Sequence, residues 1–251
     1  MPTPVTDASA IDGVVNLYKP AGRSSAHYVY RLRPILNQRK VGHAGTLDPF
    51  AEGVLIACVG KATKLVERIM NLPKRYRTTI RLDVTNDTFD TEQPFVPITG
   101  PVPPSRDDVE SAVAKLVGTI QQVPPVFSAI RVGGRFSYHL AKQGRPIEHK
   151  ARSVTIYDIA IESYQWPRLE LTIRCGRGTY IRAIARDLGQ ALACGGACET
   201  LLRESVGPFV AEDALNILEA DPVQVRSAVI PIEQAARLIE NLPGFDFLRV
   251  S

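Results

Sequence analysis

The sequence predicts a mixed α/β protein, a single sheet with helices on its faces. Short apolar runs of strand type alternate irregularly with amphipathic runs, for which a mixed sheet with helices on its faces is the natural architecture. Hydrophobic residues make up 45% of the 251 residues and charged residues 22%, enough apolar material for a sizeable core. Proline and glycine punctuate the chain at the ends of these runs, and no internal repeat is present.

The elements follow in order. Gly13 to Tyr18 reads as a buried strand broken by Pro20 and Gly22. Ser24 or Ser25 caps a helix that runs to about Leu32, before Pro34. Val54 to Val59 is an interior strand, and Thr63 to Met70 a helix stopped before Pro73. Tyr76 to Val84 alternates as a strand. Thr85 to Ser105, rich in Asp, Thr and Pro, reads as a long surface loop. Asp107 to Val117 is an amphipathic helix, and Ser137 to Gln143 a short helix ending at Gly144. Val154 to Tyr164 and Leu169 to Cys175 are strands. Thr179 caps a helix from Tyr180 to Leu192, ended by Gly195 and Gly196. Leu201 to Val206 is a strand, and short helices are expected around Asp213 to Leu218 and Pro231 to Ile239.

Composition narrows the function classes. The aliphatic run Val54 to Val59 is far too short to cross a bilayer, and Met1 to Ala10 has no apolar core of a signal peptide. Cys58, Cys175, Cys194 and Cys198 lack zinc-ligand spacing and read as small hydrophobes in a reducing cytoplasm. The net charge of +4 conceals an asymmetry. Lys19 to Arg77 holds 12 Lys/Arg against 3 Asp/Glu, Ser128 to Arg186 holds 11 against 4, and Asp187 to Ser251 holds 4 against 10. Two basic blocks that share a face make a footprint for a polyanion, and Tyr76, Phe136 and Tyr138 among those charges are each able to stack on a nucleic-acid base. The ordinary reading of the same charges is a solvated surface.

The segment Gly42 to Leu55, GHAGTLDPFAEGVL, carries the most information. It sets Asp48 in a rigid turn, because Pro49 fixes its own φ and pushes Asp48 toward an extended backbone. Taken alone, an Asp before Pro more often caps a turn. Familiar signatures fail: Gly60-Lys61 lacks the rest of a P-loop, no HExxH or dinucleotide loop is present, and no cofactor or metal is implied. Ser25, His43 and Asp48 supply the letters of a hydrolase triad, which composition alone supports weakly.

GHAGTLDPFAEGVLIACVGKATKL resembles the central motif of the bacterial tRNA pseudouridine synthases that act on the T loop, the pseudouridine-55 synthases. VNLYKPAGRSS, KRYR, PPVFSAIRVGGRFSYHLAKQG, GTYIRAIARDLG and LLRESVGPF match further motifs of that family in collinear order. The resemblance implies the pseudouridine synthase fold, α+β with a central mixed, mostly antiparallel sheet flanked by helices and loops. It implies a cytoplasmic, monomeric, cofactor-free isomerase that converts a T-loop uridine of tRNA to pseudouridine. By this resemblance Asp48 is the catalytic carboxylate. It has three possible roles: attack on the ribose, stabilisation of its cationic carbon, or removal of a sugar proton. Burial disfavours a lone charged carboxylate, and the resemblance gives the task of holding it ionised to Arg182. Tyr76 would stack on the uracil, Leu202 would wall the base pocket, and His43 would stack within the opened RNA loop. Lys19 is placed with the substrate-binding set and, with Pro20, as support for the catalytic loop. The implied organisation is a loose terminus at 1–10, a catalytic domain at 11–240, and at 241–251 the start of a truncated or absent RNA-binding module of the PUA type. A noncatalytic RNA-binding or tRNA-folding protein is the competing reading.

Overall fold

The computed structural model describes residues 11–241. The loose N-terminus expected at 1–10 lies outside the described residues, as do residues 242–251 of the segment expected to open an RNA-binding module.

The chain opens with β1 (Gly13–Lys19), buried along nearly its whole length. Ser24 then caps α1 (Ser25–Ile35), its hydroxyl accepting from the His27 N–H. The helix runs past the expected stop and includes Pro34 in its last turn. There the ring removes a single bond, to the carbonyl of Tyr30, itself half exposed. β2 (Val41–His43) and β3 (Glu52–Val59) flank the glycine-rich loop. A 3₁₀ turn, Gly60–Leu65, takes the first half of the next expected helix and leaves α2 (Val66–Asn71). β4 (Lys74–Arg81) alternates buried and less buried positions, as its sequence pattern demands.

The segment expected to be a long surface loop is built differently. β5 (Val84–Thr85) and β6 (Val96–Pro97) pair at its base, and Asn86, Thr88 and Asp90 between them are buried. α3 (Arg106–Ala114) begins at Ser105, which forms a reciprocal capping box with Asp108. β7 (Gly118–Gln122) follows. β8 (Arg131–Val132) and β9 (Arg135–Phe136) form a hairpin around Gly133 and Gly134, whose φ values of 57° and 81° suit the tight turn. Then come α4 (Ser137–Lys142), the long β10 (Arg152–Gln165), β11 (Arg168–Cys175) and α5 (Ile181–Ala191). Thr179 does not cap α5: its hydroxyl turns back to the Gly176 carbonyl. Tyr180 occupies the cap position, its N–H bonded to the Gln122 side chain from β7. β12 (Ala197–Val206), β13 (Phe209–Val210) and β14 (Leu215–Asn216) follow. The helix expected at Asp213 to Leu218 is absent, because Leu215 and Asn216 pair parallel with Leu17 and Tyr18 at the sheet edge. α6 (Pro222–Ser227), β15 (Ile230–Pro231) and α7 (Ile232–Glu240) complete the described chain.

The main sheet runs β14-β1-β3-β12-β4-β11-β10-β7, with β2, β13 and β15 attached at its side. Only β1–β14 and β3–β12 are parallel; the other pairs are antiparallel, so the sheet is mixed and mostly antiparallel as expected. β3 shows why its sequence is an unbroken apolar run. Leu55, Ala57 and Val59 pack with α1, α3 and α5 on one face, while Val54, Ile56 and Cys58 pack with α2 and α7 on the other. The short parallel contact of β3 with β12 at the sheet centre requires a glycine. Gly53 has φ of 103°, and a Cβ there would lie 2.3 Å from the Arg203 carbonyl oxygen. The loop bearing Asp48 enters directly above this seam.

Candidate active site

The loop is clamped from several sides. Lys19 is fully buried, and its ammonium donates to the carbonyls of Pro20 (3.0 Å), Pro49 (3.1 Å) and Ala51 (2.6 Å). Burial lowers the pKa of Lys19 to about 8, against the pull of Asp48. Ser25, also buried, donates to the Leu47 carbonyl and accepts from the Leu47 N–H. The Gly22 N–H reaches the Pro49 carbonyl at 2.7 Å. From β12, Arg203 donates to Gly45 (3.1 Å) and to Val54 (2.7 Å). The backbone on both sides of Asp48 is therefore fixed by donors outside the loop, while the Asp48 side chain keeps 28% of its surface exposed.

Arg182, in the first turn of α5, meets that side chain. Its Nε donates to Asp48 Oδ2 at 2.9 Å, Nη1 to the Thr88 carbonyl at 2.9 Å, and Nη2 to the Phe127 carbonyl at 2.9 Å. Three segments distant in sequence thus share one guanidinium, whose planar fork suits such bridging. Asp90 lies behind it, with Oδ2 3.2 Å from Nη1. Among the described residues, no aligned hydrogen bond reaches this Asp90 oxygen, which therefore has charge contact with the guanidinium alone. Burial works to lower the Arg182 pKa, but Asp48 and Asp90 outweigh it and the net shift is upward. Burial raises the Asp90 pKa despite the opposing pull of Arg182. Between Thr88 and Asp90, Phe89 is held at φ of 55°, an unusual conformation for a bulky residue. Its carbonyl accepts from Cys198 at 2.9 Å, which ties this strained turn to β12.

Asp48 stands on a wall between two clefts. One, of about 350 Å³, is lined by Tyr76, Leu201, Arg203, Tyr180 and Lys74 as well as Asp48. Tyr76 and Arg203 face each other across β4 and β12 in register. Burial raises the Tyr76 pKa, with Arg203 opposing. Lys74 donates to the Leu72 carbonyl at 2.6 Å and to that of Met70, and burial lowers its pKa to about 8. The second cleft, of about 460 Å³, holds His43, Phe127, Phe136, Tyr138 and Arg182 on its walls, with Asp48 again at the boundary. Burial and the nearby Arg203 lower the His43 pKa, which favours a neutral ring.

The structure brings together Asp48, Arg182 and Tyr76, and sets His43 on the far side of the wall. Two expectations are corrected. Leu202 lines neither cleft; it sits opposite Arg77 in the ladder and packs on Gly53, while Leu201 faces the Tyr76 cleft. Successive side chains of a strand point to opposite faces, so a one-residue difference moves the group to the other side of the sheet. Lys19 is sealed and spends its donors on the backbone, so it braces the loop and does not face a substrate. The hydrolase constellation fails as well: the Ser25 hydroxyl is engaged on both sides by Leu47, with no hydrogen bond to His43 or Asp48. Sequence reasoning missed Asp90 and Arg203. The signal for Arg203 was a lone cation in an apolar strand; Asp90 gave none, because its neighbours read as solvated turn residues. Among the described residues, no group of three or more His, Cys, Asp or Glu could hold a metal, and no helix is long and apolar enough to cross a membrane. Cys58, Cys175 and Cys198 are buried free thiols, with pKa values raised by burial.

Comparison with known proteins places this arrangement. Residues 33–181 match the family described as TruB family pseudouridylate synthase (N terminal domain). A tRNA pseudouridine synthase B of Clostridium kluyveri is 40% identical over 90% of the chain and 78% of its own length. That of Chromohalobacter salexigens is 39% identical over 93% and 73%. Among solved structures, the fold resembles a chain of a Cbf5-Nop10-Gar1 complex, with a TM-score of 0.68, 27% identity, and coverage of 90% of this chain and 62% of that one. A chain of an H/ACA RNP bound to a substrate RNA containing 2′-deoxyuridine gives 0.65 at 26% identity, with 90% and 61% covered. Match length, identity and shared architecture agree, and the chain belongs to the TruB family of pseudouridylate synthases.

Proposed function

We propose that this chain isomerises the uridine at position 55, in the T loop of tRNA, with Asp48 as the catalytic carboxylate. The observation that carries the reading is the 2.9 Å bond from a buried Arg182 to an Asp48 still open to a cleft lined by Tyr76. The reaction breaks the N-glycosidic bond, turns the uracil and joins its carbon 5 to the same sugar. Every atom is retained, so no redox partner is required.

In this reading the uridine is drawn out of its loop and enters the Tyr76 cleft, a step that costs a few kcal/mol and is offset by pocket contacts. Tyr76 stacks on the base, and Leu201, its diagonal neighbour on the same sheet face, adds apolar contact. Asp48 meets the sugar carbon as positive charge develops there, whether by bonding to it, by stabilising it or by removing a neighbouring proton. Arg182 keeps the carboxylate aimed; Asp90 steadies Arg182. His43, Phe136 and Tyr138, in the second cleft, take the bases left without partners. Every group in this scheme comes from residues 11–240 of one chain, which supports a monomeric catalytic domain. Relatives named as tRNA-modifying enzymes support tRNA as the substrate and the cytoplasm as the place of action.

The test is a chemical map of pseudouridine in an unmodified tRNA transcript after incubation with the protein. A single new pseudouridine in the T loop is expected. Asp48→Asn should slow its formation by on the order of a thousandfold, the scale of losing a covalent or charge-stabilising catalyst. Modification at another site, or an Asp48→Asn rate near the parent's, overturns the assignment.

A further inference from the structure

α1 starts at the second cleft, which Ser24, Ser25 and Ala26 help to line. The exposed side of the helix then carries His27, Tyr30, Arg31 and Arg33, and Arg39 follows in the turn before β2. From Ala26 to Arg33 this side extends about 10 Å away from the cleft. No acidic residue occurs between Lys19 and Leu47.

The cations of this surface have no carboxylate partner among the described residues. Several other exposed arginines are matched to carboxylates: Arg68 to Glu240, Arg106 to Glu110, Arg168 to Glu199, Arg174 to Asp158 and Arg177 to Glu67. Among the described residues, none of the ion pairs includes Arg31, Arg33 or Arg39. A helix dipole favours Arg33 in the last turn, but it accounts for neither Arg31 nor Arg39. Tyr30 is 52% exposed, and the Arg33 guanidinium lies over its ring at 4.0 Å from the centroid. Such a stack presents a flat aromatic and a cation together, the combination that grips unpaired nucleotides.

We propose that this side of α1 is a second RNA-contact surface. Tyr30 stacks on a base or ribose, and Arg31, Arg33 and Arg39 pair with phosphates of the RNA strand that leaves the cleft. The proposal deepens the functional reading above and rests on it for the identity of the RNA.

The experiment is fluorescence anisotropy with an unmodified tRNA transcript as probe, across a salt series. The triple variant Arg31→Gln, Arg33→Gln, Arg39→Gln is compared with a charge-matched control, Arg106→Gln, Lys115→Gln, Arg237→Gln. Each phosphate contact removed lowers the slope of log affinity against log salt by about 0.7–0.9, so the α1 triple should lose roughly two units while the control stays with the parent. Tyr30→Ala should bind about tenfold more weakly with the slope unchanged. Equal slopes and affinities for parent, α1 triple and control overturn the proposal. So does an equal loss of binding to tRNA and to polyglutamate, since that marks a general anion sink. Pseudouridine formation is followed in parallel, where KM should rise and kcat hold. A parent that forms no pseudouridine but loses tRNA on α1 substitution refutes the activity and leaves this surface standing.

Discussion

Arg182→Lys tests the centre of the argument, because it keeps the charge and removes the fork. Arg182 holds Asp48, the Thr88 carbonyl and the Phe127 carbonyl through three different nitrogens, each at 2.9 Å. A lysine has one nitrogen on a shorter reach and serves at most part of this set. If it follows Asp48, the two carbonyls lose their donor in a site where the side chain is only 3% exposed. Each stranded group costs about 1–3 kcal/mol, and breaking a buried charged cluster typically costs about 3–5 kcal/mol in all. That is a large part of a stability of about 5–15 kcal/mol and should lower the melting temperature by about 10 °C. If the lysine follows the carbonyls, Asp48 loses its aim, and a misplacement near 1 Å costs about a hundredfold in rate. Thermal denaturation and single-turnover pseudouridine formation measure the two effects separately. Binding of tRNA should change little, because it is spread over many phosphates. A variant with parent-like rate and stability would refute the bridging role. One with intact kcat but weakened tRNA binding would make Arg182 a phosphate ligand.

Two further outcomes follow from the geometry. Leu201→Ala opens the Tyr76 cleft and should cut activity by about tenfold, for a loss of about 1–2 kcal/mol of apolar contact; Leu202→Ala should affect mainly stability, and the reverse order would refute the register described above. Lys19→Met tests the brace through its pH dependence. Lys19 titrates at about 8 when folded and near 10.5 when unfolded, so between these values the unfolded chain holds the extra proton and rising pH favours the fold. The gap in stability between parent and variant should therefore widen from pH 8 to pH 10, by about 1.4 kcal/mol per unit. The buried thiols and Tyr76 titrate the opposite way, but they do so in both proteins and cancel in the difference. Parallel curves in urea titrations would show that Lys19 is not buried as a charge.

Much of this architecture was legible before any coordinates. The apolar run of β3 follows from local chemistry alone, and the pairing of Asp48 with Arg182 followed from the collinear family motifs. What escaped was made by contacts distant in sequence. Asp90 sits in NDTFD, a string that ordinarily marks a solvated turn, and it is buried because Arg182, far along the chain, covers it. Leu201 and Leu202 differ only in which face they occupy, and β12 carries register shifts on both sides of them. Alternation in sequence cannot locate such shifts. The helix expected around Leu215 lost to two backbone pairs offered by β1, an edge partner that local propensity does not see.

The position of Asp48 on a partition has a bearing on inhibition. In the proposed reading a free nucleoside fills only the chamber on the Tyr76 side and leaves the aromatic chamber beyond it wet, so its grip should be weak. A compound that straddles the partition, with a cationic centre over the carboxylate and a flat group reaching each chamber, would draw on both chambers and on the carboxylate between them. The enzyme should then be blocked far better by fragments joined across that ridge than by either fragment alone.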